Sequence, residues 1–168
     1  MSTRTLKSGL PTEDAEQISL VDWIRTWEST IPELENFAAI PNGGKRAAKT
    51  DKAGKRFSIE AARMKRMGVS AGYPDALLDV PVAPFHGLRI EMKSTDPKAK
   101  TSDEQIAWIA RLNAVGYLAK RCYGWLAAAR EIVEYLRPLY QSRGFNDLPL
   151  DPDRWATFAR FAASVPRW

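Results

Sequence analysis

Residues 88–123 carry the pattern that most restricts the possible folds of this chain. Residues 88–93 (LRIEMK) alternate apolar and charged side chains, which predicts a strand. A helix is expected next, because Ser102 and Gln105 form a capping box and Gly116 supplies a natural stop. The segment YLAKRCY then predicts a second strand. Two strands joined by a helix are expected to lie parallel with a right-handed crossover, so the chain must contain a sheet covered by helices.

The flanking segments extend this unit to a mixed α/β domain. Thr12 is a candidate N-cap of a first helix that continues to Trp27, and residues 58–68 predict a second helix that ends at Gly68. Residues 41–55 are rich in Gly and Lys and predict a loop. Residues 76–80 predict a strand paired with 88–93 in a hairpin, and residues 125–140 an amphipathic helix. Residues 154–165 are compatible with a short terminal helix.

The composition limits the number of domains and the kinds of chemistry. A chain of 168 residues with 45% hydrophobic residues is expected to form a single domain, residues 1–168. One cysteine, Cys122, allows neither an internal disulfide nor a thiolate zinc site, and one histidine, His86, argues against a His-based triad. Catalysis would have to come from carboxylates, amines or metals. The sequence shows neither a membrane span nor a signal peptide, so we expect a cytoplasmic protein.

Positive charge is concentrated in one part of the chain. The net charge is +5, and residues 45–66 contain nine Lys or Arg against two acidic residues. A run of this kind is compatible with a solvated loop and an exposed helix face. Beside a metal site, the same run would be a track for phosphates of a nucleic acid.

The charged residues of the predicted strand suggest a reaction centre. Arg89, Glu91 and Lys93 share one face, and Asp75 precedes the neighbouring strand, where it could approach Glu91. Two adjacent carboxylates facing inward require a cation or a shared proton, and Mg²⁺ is the natural candidate. Lys93 could then orient a water or help to deprotonate it, and stabilise negative charge at phosphorus. The alternative is that these residues line a solvated sheet face, with Arg89 as a surface cation and Asp75 in an ordinary turn.

Four segments in this order resemble the VRR-NUC group of the PD-(D/E)xK nuclease superfamily. They are GVSAGYPDALLDV, GLRIEMKS, SDEQIAWIARLNAVGY and CYGWLAAAREIVEYL. The resemblance covers a core of residues 11–136 and leaves residues 137–168 as a C-terminal extension without an assigned function. It implies a restriction-endonuclease-like αβββαβ core, with a small mixed central sheet flanked by helices.

The resemblance also implies roles for individual residues. Asp75, Glu91 and the backbone carbonyl of Met92 correspond to metal ligands for Mg²⁺ or Mn²⁺, and Lys93 to the catalytic lysine. Gln105 corresponds to a site glutamine, although it could only complete the helix cap. An acidic residue of the first helix, Glu16 or else Glu13, corresponds to a further site residue, although Glu16 could only favour the helix N-terminus. The expected nucleic-acid-binding residues are Asn42, Lys45, Arg46, Lys49, Lys52, Lys55 and Arg56.

These features together predict a divalent-metal-dependent DNA endonuclease. The resemblance points to branched DNA, as cut by Holliday junction resolvases, and to a homodimer with two paired sites in a bacterial or phage setting. Two alternatives stay open. One is a nicking enzyme or a nuclease of flap or linear duplex DNA, and the other is a noncatalytic nucleic-acid-binding module in which the acidic residues only shape the fold.

Overall fold

The computed structural model describes residues 9–40, 49–50 and 56–157. Within these ranges the named elements are four α-helices, one 3-10 helix and six strands. In chain order they are α1 (Glu13–Trp27), a 3-10 helix (Pro32–Asn36), β1 (Phe37–Ala39), β2 (Lys49–Thr50), β3 (Arg56–Phe57), α2 (Ile59–Arg66), β4 (Ala76–Leu78), β5 (Leu88–Lys93), α3 (Asp103–Ala114), β6 (Leu118–Tyr123) and α4 (Trp125–Ser142).

Four strands form the central sheet in the order β1-β4-β5-β6. β4 pairs antiparallel with both β1 and β5, whereas β5 and β6 are parallel. The helices flank this mixed sheet, so the predicted restriction-endonuclease-like fold class is confirmed, as is the parallel pairing of the two strands joined by α3. β2 and β3 form a separate two-stranded antiparallel hairpin. Lys49–Thr50 therefore lies in a strand, where the sequence predicted only a loop.

The residues that the sequence predicted to begin or end helices do so in the structure. The Thr12 hydroxyl accepts a hydrogen bond from the Ala15 amide at the start of α1. Ser102 and Gln105 form the complete capping box of α3. Gly116 follows α3 with a φ of 86°, a conformation that side chains with a Cβ rarely adopt. None of the helices within the described ranges is long and apolar enough to cross a membrane.

The hydrophobic core lies between the sheet and the pair α1 and α4. Apolar side chains of β5 alternate toward this core, which is why Leu88, Ile90 and Met92 are almost fully buried. Trp23 of α1 is also fully buried, and Cys122 is a buried core thiol as predicted. α3 packs on β6, where the Asn113 side chain exchanges two hydrogen bonds with the Ala119 backbone.

The part of the C-terminal extension that the structure describes packs on the same core. Leu148 and Leu150 are buried, and Trp155 meets Trp125 edge to face with ring centroids 5.2 Å apart. Residues 152–157 are helical, and the rest of the predicted terminal helix lies outside the described residues. This stretch therefore covers α4 and contributes to the core.

Candidate active site

The strand register brings Asp75 and Glu91 together. Ala76 of β4 pairs with Ile90 of β5, so Asp75, one residue earlier, lies across from Glu91. Asp75 Oδ2 accepts a hydrogen bond from the Met92 amide at 2.9 Å, and the two carboxyl groups are close enough to share a hydrogen bond. The approach of Asp75 to Glu91 that the sequence suggested is therefore present.

The loop that precedes Asp75 is fixed against the start of α3. The Trp108 indole donates a hydrogen bond to the Ala71 carbonyl at 3.1 Å, and its ring meets Tyr73 at 5.0 Å. Gly72 has a φ of 78°, and a Cβ there would lie 2.7 Å from the Gln105 backbone nitrogen. Only glycine allows this close approach, so Gly72 helps to set the distance between Asp75 and the helix that carries Gln105.

The charged face of β5 is buried, which contradicts the alternative of a solvated sheet face. Glu91 is 1% exposed and Lys93 is 3% exposed. Arg89 is also buried, so its interpretation as a surface cation is wrong. It donates a hydrogen bond to Asp79 at 2.8 Å and stacks on Tyr117. Burying three charged side chains on one face of a strand is costly unless they are paired. Each has an oppositely charged partner: Arg89 pairs with Asp79, and Glu91 pairs with Lys93.

Lys93 is held between two carboxylates. Its ammonium donates a hydrogen bond to Glu91 Oε1 at 2.8 Å and lies 3.5 Å from Glu13 Oε1. Glu13 begins α1, and half of its side chain is exposed. Glu13 therefore places a half-exposed carboxylate next to the buried Lys93 ammonium.

Gln105 completes the cap of α3 and also contacts Glu91, while its role in a reaction stays a prediction. Its amide oxygen accepts a hydrogen bond from the Ser102 backbone, which completes the cap of α3. Its amide nitrogen donates to Glu91 Oε1, the same oxygen that Lys93 contacts. The helix cap therefore orients the Gln105 side chain toward Glu91.

Glu16 is buried and binds a different part of the fold. Its carboxylate accepts hydrogen bonds from the Trp125 amide at 2.9 Å and from the Thr95 hydroxyl at 3.5 Å. The Trp125 contact ties α1 to the N-terminus of α4, where a carboxylate is favoured by the helix dipole, and the Thr95 contact ties α1 to the segment after β5. Of the two acidic residues considered in α1, Glu13 is the one that contacts Lys93. The sequence favoured Glu16 over Glu13, whereas the structure places Glu13 against Lys93; both lie in the first turn of α1, so helical position alone does not separate them.

The pKa values of the three central groups reflect burial and mutual interaction. Burial and, to a smaller extent, the neighbouring Asp75 raise the pKa of Glu91 to about 7 against the opposing effect of Lys93. Burial also raises the pKa of Asp75. Burial by itself would lower the pKa of Lys93, but the hydrogen bond and charge of Glu91 raise it above its ordinary value. The carboxyl pair thus holds a proton more tightly than isolated carboxylates do.

This donor set fits a hard divalent cation. Two carboxylates that repel each other in a buried position are stabilised by a positive charge between them, and Mg²⁺ commonly binds one or two carboxylates together with waters and substrate oxygens. The Met92 amide points toward Asp75, and its carbonyl points to the same side because the two groups of one strand residue share a direction. The described residues contain no group of three or more His, Cys, Asp or Glu that could hold a metal ion, so the site offers two carboxylates and not a larger acidic cluster.

Most of the predicted nucleic-acid-binding residues fall on parts of the chain outside the described residues. These are Asn42, Lys45, Arg46, Lys52 and Lys55. Lys49 and Arg56 belong to β2 and β3, where the backbone pairs Thr50 with Arg56 and Lys49 with Phe57. Their role as a phosphate track stays a prediction.

The fold and this cluster together define a restriction-endonuclease-like domain with a buried acid-lysine centre. A solved structure described as a VRR_NUC domain protein superposes on the chain with a TM-score of 0.59 and 29% sequence identity, covering 76% of this chain and 89% of that one. This similarity supports the VRR-NUC resemblance expected from the sequence. No protein-family model matches the chain, and no curated protein does either.

Proposed function

We propose that this protein is a divalent-metal-dependent DNA endonuclease of the VRR-NUC type within the PD-(D/E)xK superfamily. The observation that carries the proposal is the buried cluster of Asp75, Glu91, Lys93 and Gln105 at the end of β5. Such a cluster is costly to fold, and the cost is understandable if the cluster acts on a substrate. The similarity to a VRR_NUC domain protein supports the same reaction class.

Each side chain has a role that follows from its contacts. Asp75 and Glu91 would hold Mg²⁺ or Mn²⁺, with the Met92 carbonyl on the same side. A bound divalent ion supplies Lewis acidity toward a phosphate oxygen and lowers the pKa of water. Gln105 and Lys93 both donate to Glu91 Oε1 and would hold the Glu91 carboxylate in place beside Asp75 when an ion is bound.

Lys93 acts as a hydrogen-bond donor and positive charge. Its ammonium is clamped by Glu91 and Glu13, and these contacts raise its pKa. A lysine in this state is poorly suited to remove a proton from water. Instead it orients the attacking water and stabilises the negative charge that develops on the phosphate. The expected products carry 5′-phosphates, as the VRR-NUC resemblance implies.

The preferred substrate in this proposal is branched DNA, with Holliday junctions as the first choice. Two copies of the chain would place two sites on a symmetric junction, so a homodimer is part of the same proposal. The proposed setting is the cytoplasm of a bacterial cell or of a host infected by a phage. These finer features follow from the VRR-NUC resemblance.

The proposal is tested by cleavage of labelled four-way junction, flap and linear duplex DNA with Mg²⁺ or Mn²⁺. Glu91→Gln and Asp75→Asn are nearly isosteric and remove only charge, and Lys93→Ala removes the ammonium. We expect each to reduce cleavage by at least about a hundredfold, the scale of losing an electrostatic catalytic group. Glu134→Gln on the exposed face of α4 is the matched control and should cleave like the native protein.

The outcomes separate the competing functions. Cutting of junctions in preference to the other substrates supports the resolvase activity, whereas preference for flaps, nicked or linear duplex DNA supports the related nuclease activities. Binding of DNA without cutting by either metal ion would identify a noncatalytic nucleic-acid-binding module and refute the proposal.

A further inference from the structure

The exposed residues of β6 lie directly beside the buried cluster. In the parallel register of β5 and β6, Glu91 is paired with Arg121 and Lys93 with Tyr123. Paired residues of neighbouring strands project to the same face, with strands about 4.8 Å apart. Arg121 and Tyr123 are exposed, although their partners on β5 are almost fully buried. The β6 pair therefore forms the solvent-facing flank of the candidate active site.

Arg121 presents a positive charge without a carboxylate partner among the described residues. Its guanidinium donates a hydrogen bond to the Thr101 hydroxyl at 2.6 Å and lies 5.4 Å from the Tyr123 ring centroid. The ion pairs between described residues involve other cations, including Lys120 of the same strand, which is paired with Glu131. Arg121 is thus available for an external anion, whereas Lys120 on the opposite face is already paired.

Tyr123 adds an accessible aromatic surface to this cation. Tyr123 is 45% exposed and lies on β6, the edge strand of the central sheet. A phenol ring beside a guanidinium suits a nucleotide, because the base stacks on the ring and the phosphate pairs with the cation. A polyanion that approaches the Asp75 and Glu91 carboxylates also needs a nearby positive charge to offset their repulsion.

We propose that Arg121 and Tyr123 form a nucleotide-binding flank that holds an unpaired base next to the scissile phosphate. The inference rests on the proposed nuclease function for its substrate class. Successive nucleotides of one strand are about 3.4 Å apart along a duplex, so a flank one strand away from Glu91 contacts a nucleotide one or two steps from the cut. Stacking on Tyr123 requires a base that is not in a duplex, which a branch point or a single-stranded arm provides.

The test measures binding of fluorescent flap and blunt duplex DNA by anisotropy, with Ca²⁺ in place of Mg²⁺ and gel verification that the DNA is intact. Arg121→Gln removes the charge, and Lys120→Gln is the matched control on the opposite face of β6. We expect Arg121→Gln to weaken binding about tenfold and to lower the slope of log K against log salt by about 0.7–0.9, the value for one phosphate contact. Lys120→Gln should change affinity by less than about twofold.

Tyrosine variants test the stacking part of the inference. Tyr123→Ala should weaken binding of the flap about tenfold, the scale of one lost base stack, and leave blunt duplex binding within about twofold. Tyr123→Phe keeps the ring and should bind both DNAs like the native protein. A single abasic position moved along the single-stranded arm should weaken native binding at one place and have no effect there in Tyr123→Ala.

The inference is overturned if Arg121→Gln and Lys120→Gln lose affinity equally, or if Tyr123→Ala affects flap and duplex alike. Native cleavage is measured in parallel with Mg²⁺ and Mn²⁺. If the native protein cuts DNA while Arg121→Gln and Tyr123→Ala bind like it, the flank is refuted and the nuclease stands. If the native protein binds DNA but cuts nothing, the nuclease function fails, and the binding comparison decides only whether Arg121 and Tyr123 bind a nucleotide. A native protein that binds no DNA refutes both.

Discussion

Removal of the Glu91 charge is expected to change how the stability of the metal-free protein depends on pH. The folded protein raises the pKa of Glu91 from 4.5 to about 7 because the carboxyl group is buried beside Asp75. Between these two pH values the native state keeps a proton that the unfolded chain releases. The free energy of unfolding contributed by this group therefore falls as pH rises through the interval, and stays constant above it.

The size of the effect follows from the same interval. Each unit of pKa difference corresponds to about 1.4 kcal/mol, so the interval from 4.5 to 7 corresponds to about 3 kcal/mol of lost stability at pH 8. Glu91→Gln cannot lose this proton. The free energy of unfolding of Glu91→Gln, relative to the native protein, should thus increase by about 3 kcal/mol between pH 4.5 and pH 8. Because Asp75 and Lys93 are coupled to Glu91, the change belongs to the cluster as a whole.

Urea unfolding with a chelator present, followed by tryptophan fluorescence at several pH values, measures this change. The comparison uses the change with pH and not the stability at one pH, because Glu91→Gln also weakens a contact of the buried Lys93 at every pH. Glu35→Gln, on the exposed surface of the 3-10 helix, shows what the same exchange does elsewhere. A relative stability of Glu91→Gln that does not change between pH 4.5 and 8 would refute the reasoning that the carboxyl pair is strained.

Three further predictions concern the surroundings of the site and the core. Ser102→Ala should lower the free energy of unfolding by about 1 kcal/mol and retain cleavage. Gln105→Glu keeps a capping side chain but should abolish cleavage, and chemical unfolding together with the nuclease assay separates the two effects. Gly72→Ala should destabilise by at least about 2 kcal/mol in the same unfolding assay, because its Cβ would meet the α3 backbone; Gly68→Ala, with a similar φ but open space around it, should cost only about 1 kcal/mol. Cys122 is buried and its pKa is raised to about 12, so a thiol reagent at pH 8 should react with it only on unfolding, and rapid labelling of the native protein would contradict its burial.

The sequence by itself determined the local elements and the identity of the candidate site residues. Alternation along residues 88–93 and the capping box at Ser102 are local properties, and a few neighbouring residues are enough to define them. They predicted β5 and α3, and the parallel partner of β5 followed from the rule for strand-helix-strand units. Asp75, Glu91 and Lys93 were identified in the same way, through short spacings and the resemblance of four ordered segments.

Only the tertiary structure decided which charged residues meet and which are buried. Arg89 could not be recognised as buried from its strand, because its partners Asp79 and Tyr117 come from two other parts of the chain. Glu13 and Glu16 are equivalent by local criteria, and the packing of α1 against β5 and α4 separates their contacts. The position of Tyr123 beside Lys93 depends on the register of two strands that are distant in sequence. Register and packing are set by the whole core, which is why no local pattern contains them.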